Sequence, residues 1–265
     1  MQSVKKIDPA SVIEPNYFSN WGDLWYPKIA NKLLLRIAAK ISWITPNRVT
    51  VVSFLMYAAT FVWIATQTDF WYIAALLLPV SYILDCLDGQ LARFTGRSSA
   101  IGDYLDKTLD VLKIFIINLG MSLAAYSMTH KNYYFVLGLM SCFGFLFRYY
   151  IKLETMFGAV NKDADYLDKS RTRRHELYAS FDAQKRQPKT FKQKLEWLWI
   201  RNHSVFALDE AEHVTFGMIA IIAHRPDVWL WVFGVGQITI AFCRLIERGR
   251  QLIYNPESLT YPLRK

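Results

Sequence analysis

The stretch Asp85–Asp110 reads DCLDGQLARFTGRSSAIGDYLDKTLD, and the rest of the chain is organised around it. Four of its five aspartates, Asp85, Asp88, Asp106 and Asp110, form two closely spaced pairs between long apolar segments. Carboxylates next to hydrocarbon are costly unless a positive group neutralises them. The stretch therefore predicts that cations hold these four side chains together.

The spacing of the aspartates predicts a shared site. Asp85 and Asp88 are three residues apart, and Asp106 and Asp110 are four apart, so each pair lies on one face of a helix. If the two helices are antiparallel neighbours, the pairs converge. Hard divalent cations such as Mg²⁺ or Mn²⁺ prefer such oxygen ligands. Two ions about 3.5–4 Å apart can clamp the attacking and leaving oxygens of a phosphoryl transfer.

Two neighbouring residues fit a phosphate ligand. Gly89 allows the backbone to approach a ligand closely, and the Arg93 guanidinium can neutralise a phosphate. Taken singly, each residue has an ordinary alternative, since Arg93 could be a topology charge that snorkels to the interface. A DxxDG fragment also occurs in calcium loops, but an EF-hand needs alternating acids and a later Glu, which this stretch lacks.

The composition indicates an integral membrane protein. Of the 265 residues, 53% are hydrophobic and 15% aromatic, and the mean hydropathy is +0.12. The apolar residues are concentrated in blocks. A net charge of +9 could suit nucleic acid, but the sequence has no nucleic-acid motif, and anionic lipid headgroups explain the charge better. The three cysteines have neither CxxC nor zinc-site spacing.

We predict an all-α membrane bundle of six transmembrane helices. The blocks place these spans at about 49–66, 70–84, the end of the acidic stretch to 127, 133–150, 205–223 and 228–246. The predicted domains are a cytoplasmic leader (1–44), a membrane domain (45–250) that includes a basic loop (151–204), and a cytoplasmic tail (251–265). In that loop, a second interfacial helix is expected after Pro188.

An amphipathic helix is predicted at about 24–44, before the first span. Two rows recur every four residues, one apolar and one basic: Ile29, Leu33, Ile37 and Ile41, and Lys28, Lys32, Arg36 and Lys40. Such a helix suits the membrane interface, with its cations on lipid phosphates. The alternative is an ordinary amphipathic helix packed on protein.

The distribution of Lys and Arg predicts the orientation. The segment to Arg48 carries seven, the segment from Arg148 to Arg201 thirteen, and the segment from Arg244 to Lys265 five. In a six-span chain all three fall on one side, which the positive-inside rule makes the cytoplasm. Both termini and the acidic stretch should therefore face the cytoplasm. The membrane is expected to be of the bacterial inner-membrane type.

The complete pattern resembles the signature of the CDP-alcohol phosphotransferase family, DxxDGxxARx₈GxxxDxxxD. Every spacing is matched, by Asp85, Asp88, Gly89, Ala92, Arg93, Gly102, Asp106 and Asp110. The TPNRVT segment, Thr45–Thr50, also resembles the family's PNxxT element. The resemblance covers about residues 45–250.

The resemblance implies a metal-dependent transfer of a phosphoryl-alcohol group from a CDP-alcohol to a second alcohol, with release of CMP. It implies two Mg²⁺ or Mn²⁺ ions on Asp85, Asp88, Asp106 and Asp110, with Asp110 also the general base. The positions that resemble CDP-alcohol contacts are Asn47, Thr50, Gly89, Ala92, Arg93 and Ser99. The expected partners are a donor, an alcohol or alcohol-phosphate acceptor, membrane lipids and a second copy in a homodimer.

The sequence leaves the two alcohols open. The donor is either CDP-diacylglycerol, which we favour, or a soluble CDP-alcohol used with a lipid acceptor. A phosphorylated acceptor could be bound by three cations, Lys113, Arg148 and Lys152. For Lys113 the alternative is an ion pair with an acid, and for the other two it is anchoring on the cytoplasmic side.

A different class of function fits the acids less well. A cation transporter would hold acids near the middle of the membrane, whereas these are expected at cytoplasmic helix ends beside an anion-seeking Arg93. A second acidic group, Asp209, Glu210, Glu212 and His213, matches no metal-site spacing, and we interpret it as a charged interface edge.

Overall fold

A computed structural model describes residues 25–66, 70–169, 172, 190 and 208–254, and the regular structure in these ranges is helical. A short N-terminal helix is followed by six longer ones. The short one comprises α1 (Tyr26–Ile29), a π-helical stretch (Ala30–Leu35) and α2 (Arg36–Lys40). The longer ones are α3 (Pro46–Thr66), α4 (Trp71–Thr95), α5 (Ala100–Thr129), α6 (Tyr133–Lys162), α7 (Glu210–Ile222) and α8 (Pro226–Tyr254).

Five helices in the described ranges are long and apolar enough to cross a membrane, and the all-α prediction is confirmed there. These are α3, α4, α5, α6 and α8. The predicted span at 205–223 corresponds to α7, which has 13 residues and is shorter than the roughly 20 a span needs. Residues 205–207 lie outside the described ranges. The six-span prediction is therefore not confirmed.

The acidic stretch is helical over most of its length, so the helix of the second span extends beyond its predicted end at 84. Helix α4 continues to Thr95, ten residues and about 15 Å past Asp85. It ends at Gly96, which has a φ of +65° that suits glycine, and the Gly96 amide donates to the Arg93 carbonyl. Helix α5 then begins at the N-cap Ser99, whose hydroxyl accepts from the Gly102 amide at 3.1 Å.

Close approach of helices builds the core behind this stretch. The largest buried cluster joins helices α3 to α8, with Leu78, Met121 and Phe233 fully buried. A Cβ added at Gly144 of α6 would lie 2.6 Å from the Gln237 backbone of α8. Small residues at such crossings let two helices pack backbone to backbone.

Helix α7 runs antiparallel to the first half of α4. Its start, Glu210, lies near Asp85, and the His224 ring just beyond its end stacks on Trp71 at 4.7 Å between centroids. The short helix therefore covers the same depth of the bundle as Trp71–Asp85. This places the N-terminal turn of α7 beside the aspartates.

The N-terminal helix packs on the bundle through a face other than its predicted apolar row. Ala30, Leu35 and Ala38 are buried in a cluster with Leu87 and Leu91 of α4. Of the predicted apolar row, Leu33 and Ile37 are about 60% exposed, next to the exposed basic row. The helix thus packs on protein and also presents an unpacked apolar row; its interfacial placement stays a prediction.

Helix α6 extends further than predicted. Residues 151–162 continue the helix, so the basic loop begins later than 151. Arg148 and Lys152 consequently lie within the helix rather than at its end. The interfacial helix expected after Pro188, the leader before residue 25 and the tail after residue 254 lie outside the described residues.

Candidate active site

The four aspartates of the signature converge where α4 meets α5. Asp85, Asp88 and Asp106 form a group in which one carboxylate oxygen of each lies within 4.8 Å of the others. Asp110 belongs to a second group of the same kind that also contains Asp85. The structure therefore brings the four side chains together, as the spacing predicts, with Asp85 shared by both groups.

The first group faces α3 as well as α5. Asp88 is 5% exposed, and its carboxylate accepts hydrogen bonds from the Thr50 hydroxyl and the Gly89 amide, each at 2.5 Å. Hydroxyl and amide are neutral donors, so neither hydrogen bond brings a positive charge to Asp88. We name Asp85, Asp88 and Asp106 the cavity triad, since it adjoins the cavity described below.

The second group has a cation of the chain, Lys113, as a partner. It consists of Asp85, Asp110 and Glu210, and we name it the lysine triad. The Lys113 ammonium forms ion pairs with Asp85 and, at 2.8 Å, with Asp110. The Ser53 hydroxyl donates to Asp85 at 3.3 Å. The Lys113 side chain is 6% exposed, so its charge is compensated inside the bundle.

Both triads suit hard divalent cations. Their donors are all carboxylate oxygens, which Mg²⁺ and Mn²⁺ prefer, and the two triads meet at one residue, as a two-ion site requires. The aspartates can hold such ions through Asp85 as the common ligand. The residue roles implied by the resemblance stay predictions, but the donor set fits them.

A cavity of about 200 Å³ opens beside the cavity triad. All six residues predicted to contact a CDP-alcohol line it, together with Asp88 and Asp106: Asn47, Thr50, Gly89, Ala92, Arg93 and Ser99. The lining comes from α3, α4, the turn after α4 and the start of α5. Residues distant in the sequence thus line one space, which also has Arg93 and Arg97 among its lining residues.

The glycine of the signature at position 102 is a steric requirement of this cavity. A Cβ at Gly102 would lie 2.8 Å from the Asn47 side-chain oxygen and 3.1 Å from the Ser99 hydroxyl. Either contact is closer than ordinary packing allows. Gly102 therefore lets α5 approach the start of α3.

The three residues predicted to bind the acceptor have different described contacts. Lys113 pairs with the acids of the lysine triad. Arg148 forms an ion pair with Asp209 and lies over the Phe145 ring at 5.4 Å. Lys152 is exposed and lies 5.8 Å from the Tyr149 ring centroid. Their role in binding the acceptor stays a prediction.

Glu210 is a site residue that the sequence interpretation misplaced. The acidic group at 209–213 was expected to be a charged interface edge, but Glu210 joins the lysine triad. Glu212 and His213 are 1% and 0% exposed, and the His213 ring lies 4.2 Å from that of Phe233. Only the tertiary structure reveals the role of Glu210, because it follows Asp110 by 100 residues.

Comparison with known proteins agrees with this geometry. Residues 43–173 match the family described as CDP-alcohol phosphatidyltransferase. An archaetidylinositol phosphate synthase of Pyrococcus horikoshii is 39% identical over 80 residues, which are 30% of this chain and 42% of the relative. A bifunctional IPC transferase and DIPP synthase of Thermococcus kodakarensis is 29% identical over 141 residues, 51% of this chain and 31% of the relative.

A more distant relative has a different substrate name. Cholinephosphotransferase 1 of Danio rerio is 26% identical over 132 residues, 45% of this chain and 35% of the relative. The matched segments therefore span less than half of each of these relatives. The family match at 43–173 includes α3, α4, α5 and α6, and the first three carry the four aspartates and the cavity lining.

Proposed function

We propose, on the premise that residues 43–173 form a CDP-alcohol phosphatidyltransferase domain, that the chain transfers a phosphoryl-alcohol group from a CDP-alcohol to an acceptor alcohol and releases CMP. One observation carries the proposal: four aspartates converge beside a cavity lined by all six residues expected to contact the donor. The reaction belongs to phospholipid synthesis, as the names of the relatives suggest.

Each side chain then has a defined task. The acceptor oxygen attacks the phosphorus that carries the donor alcohol, and the bond from that phosphorus to the oxygen of CMP breaks. Asp110 takes the proton of the acceptor hydroxyl. Arg93, in the cavity wall, neutralises the diphosphate and the departing CMP. Bound Mg²⁺ or Mn²⁺ would supply further charge stabilisation at the same oxygens.

The proposed topology has six crossings, with α7 in the fifth. Helix α7 supports this assignment because it runs from the level of Asp85 to the level of Trp71. Both termini and the cavity then face the basic, cytoplasmic side. The exposure of Leu33 and Ile37 beside the basic row supports a position of the N-terminal helix in the interface on that side.

For the alcohols, we favour a lipid CDP-alcohol such as CDP-diacylglycerol as donor. Support comes from the relative named for an archaetidylinositol phosphate product. Because Lys113 and Arg148 already pair with acids, a neutral acceptor alcohol suits the described site as well as a phosphorylated one. A homodimer stays part of the proposal.

The experiment is CMP release by purified protein in detergent with Mg²⁺ or Mn²⁺. The donors are CDP-diacylglycerol and soluble CDP-alcohols, each tested with serine, glycerol phosphate, inositol phosphate and diacylglycerol as acceptors. We expect CMP release with one donor–acceptor pair, dependent on the metal. Absence of turnover with every pair would overturn the proposal and favour cation transport, the alternative function for buried acids.

Asp110→Asn tests the assigned base. Asparagine preserves the shape and a metal-ligating oxygen but cannot take the proton, so we expect turnover to fall by about 10²–10⁴-fold. Mn²⁺ binding, measured by electron paramagnetic resonance, should be only partly reduced. Full activity in this variant would refute the base assignment.

A further inference from the structure

We propose that Glu210 and Lys113 form a compensating charge pair of the active site: Glu210 is a positioning residue that retains the Lys113 ammonium when divalent cations occupy Asp85 and Asp110. The inference rests on the proposed function, since it assumes that the aspartates bind metal. It assigns a role to two residues that lie outside the DxxDGxxARx₈GxxxDxxxD signature.

The geometry places Lys113 in competition with a metal ion. Its ammonium contacts Asp85 and lies 2.8 Å from an Asp110 oxygen, so it occupies the position of a cation between two predicted metal ligands. A divalent ion bound to the same oxygens repels the ammonium. The Glu210 carboxylate lies within 4.8 Å of both aspartates, which makes it the third acid within reach of Lys113.

The formal charges explain why both residues are present. The two triads together contain five carboxylates, and Lys113 contributes one positive charge. The remaining four negative charges match two divalent cations. Without Glu210 the cluster falls one negative charge short, and without Lys113 it has one too many. In a site of low dielectric constant such an imbalance is costly.

Glu210 is held at this position by contacts at the start of α7. The Asp209 side chain caps the helix, and the Glu212 carboxylate accepts from the Asp209 amide at 2.9 Å, which completes a capping box. Arg148 of α6 pairs with Asp209. The first turn of α7 is therefore anchored to α6, and Arg148 positions Glu210 through Asp209.

The test is a double-mutant cycle on the purified full chain, with Mn²⁺ binding as the main measurement. We expect Glu210→Gln to bind Mn²⁺ about 10-fold more weakly, because Lys113 then competes without its alternative partner. Lys113→Met should bind Mn²⁺ about 10-fold more tightly, because the internal cation is gone. The double variant should return to about the affinity of the parent.

Charge compensation predicts that Mn²⁺ affinity changes in opposite directions in the two single variants. A purely structural role of the two residues would lower the affinity in both variants. Glu210→Asp should retain most of the affinity, and Glu154→Gln, an exposed acid of α6, serves as a control for loss of one negative charge. Parent-like Mn²⁺ affinity in Glu210→Gln, or weaker binding in both single variants, would overturn the inference. If Lys113→Met does not fold, Lys113→Gln replaces it.

CMP release is measured in parallel to separate the two proposals. Opposite shifts in Mn²⁺ affinity without turnover of any CDP-alcohol support the charge pair and contradict the proposed reaction. Turnover of a CDP-alcohol, with Mn²⁺ affinities that do not shift in the variants, supports the proposed reaction and contradicts the charge pair. In an active chain, the Mg²⁺ concentration for half-maximal rate should rise in Glu210→Gln and fall in Lys113→Met.

Discussion

The two carboxylate triads share Asp85 but face different groups. The cavity triad receives a hydroxyl from Thr50 and an amide from Gly89, both neutral. The lysine triad receives the ammonium of Lys113. Asp88 therefore has only neutral donors among its described hydrogen bonds, whereas Asp85 and Asp110 have a cation of the chain itself as partner.

A second comparison shows that cavity size does not identify the site. A larger cavity, about 410 Å³, lies between α6 and α8 and is lined mainly by apolar and small side chains, such as Leu245 and Gly249. The smaller cavity, of about 200 Å³, is lined by three aspartates, among them Asp88 and Asp106, and by Arg93. Chemistry follows the convergent charges, because only those can bind and polarise a diphosphate.

The largest expected effect is that of Asp85→Asn, since this residue belongs to both triads. We expect CMP release to fall by roughly 10³-fold or more and Mn²⁺ binding to be lost at both positions. The measurements are CMP release and Mn²⁺ stoichiometry by electron paramagnetic resonance. Loss of one Mn²⁺ ion with the other retained would show that the two triads bind ions independently and that Asp85 is not a ligand common to both.

The second-largest effect is expected for a substitution of Arg93, because this residue lines the cavity and belongs to neither triad. Arg93→Gln should raise the KM for the CDP-alcohol by about 10–100-fold, since hydrogen bonds to a charged group are strong, and leave Mn²⁺ binding intact. Lys107→Gln is the matched control, because Lys107 is exposed and pairs with Asp103 at 2.7 Å. Equal effects of the two changes would remove Arg93 from the donor site.

The smallest effect concerns the Thr50 hydroxyl, which orients Asp88 in the cavity triad. Thr50→Val preserves shape but removes this donor, and we expect a loss of about fivefold in kcat/KM, equivalent to one hydrogen bond. Thr60→Val is the control, as the Thr60 hydroxyl donates to the Met56 carbonyl away from the cluster. Unchanged kcat/KM in Thr50→Val would mean that Asp88 is held without it.

Much of the fold could be predicted because membrane helices leave strong local signals. The apolar blocks located α3, α4, α5, α6 and α8. Pro46 is the first residue of α3, and Asn132 directly precedes α6. The second span was predicted to end at 84, and the extension of its helix to Thr95 has a physical cause. The helix continues through polar residues because several of them line a cavity.

The site was predictable where the signature is continuous in sequence. Asp85 with Asp88, and Asp106 with Asp110, lie on helix faces fixed by their spacing, and the cavity includes the predicted Asn47 and Ser99. The prediction for Arg148 had no such basis, since a basic residue near a helix end gives no information about its partner. Its ion pair with Asp209 joins residues 61 positions apart.

The sequence by itself determined which helices carry the acids and that the two aspartate pairs face one another, because helical periodicity and chain connectivity suffice for that. Only the tertiary structure decided that Glu210 joins Asp85 and Asp110 and that Lys113 lies between them. The physical reason is that α7 packs antiparallel to α4, and no local spacing encodes the depth at which its first turn meets the acids.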